Sequence, residues 1–229
     1  MKSALLCIVL VGSLYGETLT VVQEKTLWRD AHGLVHIGEQ GIVYESAKED
    51  ESRAWSYNDI QYFDRISRKE FVILTYEDRK RYLGRDRQYH FTITEGELTA
   101  DLFRRVSGWL GRPVTNREVS EVTAAYSLPV KHQHGFGGCE GELQFTPEAI
   151  YYVSKQKEDT REWLVARDVQ SVWSMNRYQF EVHAYDNNRR EFSRTRVYKF
   201  DLKAPLDPSV YRALKWKLYQ LETTHLLMR

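Results

Sequence analysis

The sharpest chemistry in this chain lies in His132-Gln133-His134-Gly135-Phe136-Gly137-Gly138-Cys139, where two imidazoles and one thiol fall within eight residues. Imidazole nitrogen and thiolate sulfur are the donors that transition metals such as zinc and copper prefer. Side chains two apart on an extended strand share a face, so a strand through His132 and His134 aims both rings the same way. The glycines that follow let Cys139 fold back towards them. His132, His134 and Cys139 are therefore candidate metal ligands. A tetrahedral ion takes a fourth donor or a water, and His183 and Glu140 are the residues considered for it. The plainer reading is a glycine-rich loop entering a strand, with Cys139 buried and the histidines exposed. The sequence alone favours that reading, because such clusters often hold no metal.

Arginine supplies the second chemical feature. Arg79, Arg81, Arg85 and Arg87 lie between two strand-like segments, and Arg189, Arg190, Arg194 and Arg196 lie between two others. A guanidinium offers a planar fork of donors suited to phosphate or carboxylate, so these are candidate anion-binding residues. The plainer reading is a solvated hairpin whose charges protect a sheet edge. Catalysis finds no such foothold. The sequence contains no nucleophile elbow, no His-Glu-x-x-His and no phosphate-cradling glycine loop, so no enzymatic activity is expected.

The elements that position these residues recur. At a shift of 108, Ile42 falls on Ile150 and Trp55 on Trp163. At 109, Asp59-Ile60-Gln61 falls on Asp168-Val169-Gln170, Phe71 on Phe180, Tyr76 on Tyr185, Tyr89 on Tyr198 and Phe91 on Phe200. At 108 again, Phe103-Arg104 falls on Tyr211-Arg212 and Leu110 on Leu218. The spacing predicts two domain-sized copies, over 22–113 and 131–225, joined by a linker over 114–130. Six strands are predicted in each copy from period-two alternation and β-branched or aromatic runs. A helix then closes each copy. Thr99 and Asp207 correspond at the 108 shift and both sit where an N-cap belongs, Gly111 suits a left-handed C-terminal position, and Pro208 suits a first turn. Trp55, Trp163, Tyr89 and Tyr198 read as core, since aromatic stripes at strand period generally bury.

Composition narrows the function classes. Lys+Arg 33 against Asp+Glu 32 gives a net charge of +1, which argues against a dedicated nucleic-acid binder. Lys2, the apolar run Ala4 to Tyr15 and a small residue at Gly16 read as a signal peptide over 1–16, so the expected location is periplasmic or extracellular. Cys7 would leave with it, and Cys139 would be the only thiol of the mature chain.

Each copy resembles the PH-like family, including GRAM-type and bacterial PH domains. The residues that carry the resemblance are the early hairpin (Val35 to Tyr44; Leu143 to Tyr152), the aromatic strand running into Asp-Ile/Val-Gln (Trp55 to Gln61; Trp163 to Gln170) and the terminal helix. It implies a mainly β, α+β architecture of two tandem bent sheets or partly open barrels, each closed by a C-terminal helix. It also implies phosphate contacts from basic loops at the barrel mouth, although the first-hairpin loop Gly38-Glu39-Gln40-Gly41 has no basic residue. The expected function is non-enzymatic recognition of a peptide or protein partner along a sheet edge or groove, without a cofactor. The alternatives are a periplasmic metal- or haem-linked protein using His132, His134 and Cys139, and an anionic-ligand or membrane-surface binder using the arginine loops.

Overall fold

A computed structural model describes residues 16–25, 29–78, 86–119, 122–185 and 195–227. The predicted signal peptide lies outside the described residues except for Gly16.

Seven strands come first: β1 (Glu17–Glu24), β2 (Ala31–Gly38), β3 (Gly41–Ser46), β4 (Arg53–Ser56), β5 (Ile60–Ser67), β6 (Glu70–Asp78) and β7 (Asp86–Glu95). Helix α1 (Ala100–Leu110) follows, then the two-residue strand β8 (Thr115–Asn116). Seven more strands come next: β9 (Tyr126–Gln133), β10 (Gly138–Phe145), β11 (Ala149–Ser154), β12 (Arg161–Leu164), β13 (Val169–Asn176), β14 (Gln179–Tyr185) and β15 (Thr195–Leu202). Helix α2 (Pro208–Leu227) ends the order. The six strands per copy expected from periodicity omit β1 and β9, which begin each series.

The expectation of two separate barrels, each closed by a C-terminal helix, is corrected by the strand order. All fifteen strands form one open sheet, β13-β14-β15-β9-β10-β11-β12-β8-β5-β6-β7-β1-β2-β3-β4, accompanied by two helices. The cause is β8. It pairs in parallel with β5 (Asp64 opposite Thr115, Arg65 opposite Asn116) and antiparallel with β12 (Asn116 opposite Glu162). Backbone bonding therefore runs through the connection instead of stopping at it. Arg65 reinforces the join from a buried position. Its guanidinium donates to the carbonyls of Leu98 and Glu118 at 3.1 Å and to Asn116 Oδ1 at 3.2 Å.

Two apolar clusters pack on this sheet, one built from residues between Leu19 and Val114 and one from residues between Leu128 and Leu206. Period-two burial explains them, since inward side chains of successive strands meet on one face. Matching positions pack alike. Trp55 lies 4.6 Å from Tyr89 at 59°, and Trp163 lies 4.7 Å from Tyr198 at 59°. The Tyr44 hydroxyl donates to the Ala31 carbonyl, and the Tyr152 hydroxyl to the Cys139 carbonyl. The helices differ. Helix α1 buries Leu102, Phe103, Val106 and Leu110, whereas α2 sets only partly buried side chains against the second cluster and leaves Trp216 and Tyr219 exposed. The predicted caps are present: Thr99 Oγ1 accepts from the Leu102 amide, Gly111 is left-handed at φ 60°, and Asp207 Oδ1 accepts from the Ser209 amide.

Candidate metal centre

His132 is placed by the alternation of β9. Leu128, Val130 and His132 all point inward, and His132 is only 3% exposed. Its ring lies among those of Tyr152, Tyr198 and Phe200, at 5.4, 5.5 and 5.0 Å. This departs from the exposed loop histidine that the glycine-rich run suggests. The strand carries on to Gln133, so His132 keeps the core-facing phase.

The chain then reverses over a tight loop, in which the His134 amide donates to the Gly137 carbonyl at 3.1 Å. Gly137 takes a left-handed φ of 76°, a region that favours glycine. Gly138 allows the strands to close up, because a Cβ there would stand 2.3 Å from the His132 carbonyl oxygen. The outcome is that Cys139 sits directly opposite His132 in the β9–β10 register, and the two histidine rings lie 4.5 Å apart.

A third segment completes the cluster. The loop after β11 makes a 3-10 turn over Lys157–Asp159, and Asp159 is buried beneath it. The turn is anchored on both sides: the Ser154 amide donates to Thr160 Oγ1 at 3.1 Å, and Arg161 donates to the carbonyls of Glu158 and Thr160 at 2.7 Å. Asp159 Oδ2 lies 2.8 Å from His132 Nδ1 and 3.2 Å from His134 Nε2. A carboxylate only accepts, so both ring nitrogens present N–H to it. His134 Nε2 is also 3.2 Å from Cys139 Sγ, and the Cys139 thiol donates to Gln156 Oε1 at 2.9 Å.

The electrostatics follow from this packing. Burial alone would raise the Asp159 carboxyl. The hydrogen bond from His132 and the attraction of His132, His134 and Arg161 outweigh burial and hold it below the usual carboxylate range. The Cys139 thiol is pushed up, first by desolvation and then by the charge and hydrogen bonding of Asp159. The cluster opens onto a cleft of about 460 Å³ lined by Arg117, His134, Phe136, Cys139, Gln156 and Asp159 among others. Arg117 follows β8 and donates to Asp64 Oδ1 at 3.2 Å, so the cleft lies beside the join between the two halves of the sheet.

One ligand atom each from His132, His134 and Asp159 lies within 4.8 Å of the others. The sequence pointed to both histidines and to Cys139, and the fold brings all three together. It did not point to Asp159 or Gln156. The available signal was the 108 shift, which lays Asp159 on Glu51, the last residue of the matching 3-10 turn Glu49–Glu51. There the acid pairs with Lys25 at 2.5 Å instead of with histidines. The two residues considered as fourth donors are engaged elsewhere. Glu140 bonds Lys155 at 2.9 Å and Lys203 at 2.5 Å, and His183 bonds Glu181 at 3.2 Å.

Of the arginines, Arg79, Arg81, Arg85, Arg189, Arg190 and Arg194 lie outside the described residues. Arg87 stacks on Tyr89 at 5.0 Å and pairs with Glu77 at 3.7 Å, and Arg196 stacks on Tyr198 at 4.9 Å.

No protein-family model matches this chain, and no curated protein matches it. Among solved structures it is similar to one described as "Structure of the Spt16D Pob3N heterodimer", at 12% identity and a TM-score of 0.29. That match covers 74% of this chain and 82% of the other.

Proposed function

We propose that this chain is an exported, non-enzymatic binding protein that holds one transition-metal ion at His132, His134 and Asp159. The observation that carries the reading is the convergence of three ligand atoms, within 4.8 Å of one another, from the end of β9 and a separately anchored turn. Two imidazoles and a carboxylate form the donor set of zinc-class ions, whereas magnesium and calcium take oxygen almost exclusively. An ion would replace the two N–H hydrogens that now point at Asp159. The reading also takes the chain to be a duplication of one PH-like unit, supported by the matched ring pairs Trp55–Tyr89 and Trp163–Tyr198. The ion site would then belong to the second copy, since the first has a Lys25–Glu51 pair in its place. Equilibrium dialysis of untagged protein against zinc, with metal analysis, should give one equivalent bound per chain. The same should fail for Asp159→Ala and His134→Ala. Wild-type stoichiometry in both variants would refute the assignment.

A second reading concerns partners. The sheet is open, so β4 and β13 are its outer strands. An added peptide strand would bond to such an edge through its backbone. Capture of an extended peptide should then disappear when proline replaces alternate residues of β13, and persistence of binding in those variants would remove this reading.

A further inference from the structure

We propose that Cys139 Sγ is the fourth protein ligand, so that the ion is enclosed by two nitrogens, one oxygen and one sulfur and has no place left for water or substrate. The proposal rests on the reading of His132, His134 and Asp159 as an ion-binding set. It adds the class of site, one closed by protein donors, which stores, stabilises or senses an ion instead of activating a water.

The geometry carries this. Bonds of ~2.0–2.1 Å to nitrogen and oxygen at the tetrahedral angle put neighbouring donors about 3.3 Å apart, and a bond of ~2.3 Å to sulfur puts nitrogen and sulfur about 3.5 Å apart. The donor separations here are 2.8 Å (His132 to Asp159), 3.2 Å (His134 to Asp159) and 3.2 Å (His134 to Cys139). They are three of the six edges of a tetrahedron, slightly contracted and each held by a hydrogen bond. These three edges need expand by roughly 0.5 Å or less to match the bond lengths of a tetrahedral ion, with side-chain torsions bringing the thiol in to close the remaining ones. The thiol is also aimed and supported. Cys139 lies opposite His132 in register, its carbonyl accepts from the Tyr152 hydroxyl at 2.8 Å, and its thiol meets Gln156.

The chemistry balances without an oxidant. A divalent ion accepts a lone pair from Sγ, the S–H bond breaks, and its proton passes to solvent. The metal keeps its oxidation state. Gln156, whose Oε1 accepts from the thiol, can turn its amide and donate N–H to the sulfur, a common support for a metal-bound thiolate.

Cobalt(II) is the probe, added to the untagged full chain. The expected result is one bound ion with intense visible absorption of tetrahedral type and a near-ultraviolet thiolate-to-cobalt charge-transfer band. Cys139→Ser should lose that band and bind cobalt at least tenfold more weakly, since loss of even a supporting outer partner weakens metal sites about 10–100-fold. Should Cys139→Ser fail to fold, the wild type provides a second measure: one equivalent of zinc should suppress reaction of Cys139 with a disulfide reagent by at least tenfold, and EDTA should restore it. One bound cobalt without the charge-transfer band, or full thiol reactivity in the zinc-loaded protein, overturns the proposal and leaves the three-residue site standing. No binding of cobalt or zinc overturns the three-residue site, and this proposal with it.

Discussion

Alanine at Gly141 should destabilise the protein although alanine is the better strand residue. A Cβ at Gly141 would stand 2.4 Å from the Val153 carbonyl oxygen and 2.7 Å from Tyr152 Cε2. Separations under 3.0 Å are essentially never tolerated, so β10 and β11 must part by about 0.6 Å or the Tyr152 ring must move. The ring has little freedom, because its hydroxyl is bonded to the Cys139 carbonyl and its face meets Phe200 at 5.0 Å. Overpacking of this kind costs about 1–3 kcal/mol, against a gain of roughly 0.5–1 kcal/mol from removing glycine in a strand. With the ring held on both sides the cost falls in the upper part of that range, and a net loss of roughly 1–2.5 kcal/mol corresponds to a Tm lower by ~2–10 °C for a chain of this length. Gly33 has the same arrangement in the first half, with Glu45 O at 2.2 Å and Tyr44 Cε2 at 2.7 Å, so Gly33→Ala should fall similarly. Gly108, inside α1 with nothing within 4 Å, is the control, and its alanine variant should melt higher. Differential scanning fluorimetry with urea titration checks all three. A Tm for Gly141→Ala equal to or above wild type would refute the close approach of the ring.

Arg65→Met should lower unfolding free energy by roughly 2–4 kcal/mol in urea, because the carbonyls of Leu98 and Glu118 and the Asn116 amide oxygen lose their shared donor. Glu140 should titrate with a midpoint of about 2 by carboxyl NMR, held down first by its bond from Lys203 and then by Lys155. Its folded value lies below its unfolded one, so its contribution to stability is complete above the ordinary carboxylate range and fades as pH falls towards 2. Replacing both lysines by alanine should return the midpoint to ~4.3. Gly111→Ala should lower stability by about 1 kcal/mol in the same urea assay, since its φ of 60° is left-handed and no neighbour crowds it.

What could be read in advance was whatever repeats along the chain. Alternation marked most strands, and local chemistry marked the ends of the helices at Thr99, Gly111 and Asp207. The matched aromatics were recognisable as core because burial follows strand period. The failures have physical causes. β8 has two residues and no periodicity, so nothing local announces that it pairs with β5, 51 positions earlier, and with β12, 46 positions later. Its pairing turned the expected two barrels into one open sheet. Asp159 was hidden because it sits in a stretch of charged residues, Lys155 to Glu162, whose composition is that of a solvated loop. Only the turn, anchored by Thr160 and Arg161, carries that carboxylate inward to His132.

Thr115 and Asn116 hold seven strands to seven. If those two residues let go, the ribbon divides, and Asp64 and Arg65 of β5 and Glu162 of β12 lose the strand that covers them, so that both strands become sheet margins along their whole length. Such margins recruit strands from other molecules. The hazard for self-association in this protein is thus concealed in the middle of its sheet, and a single buried arginine helps to keep it shut.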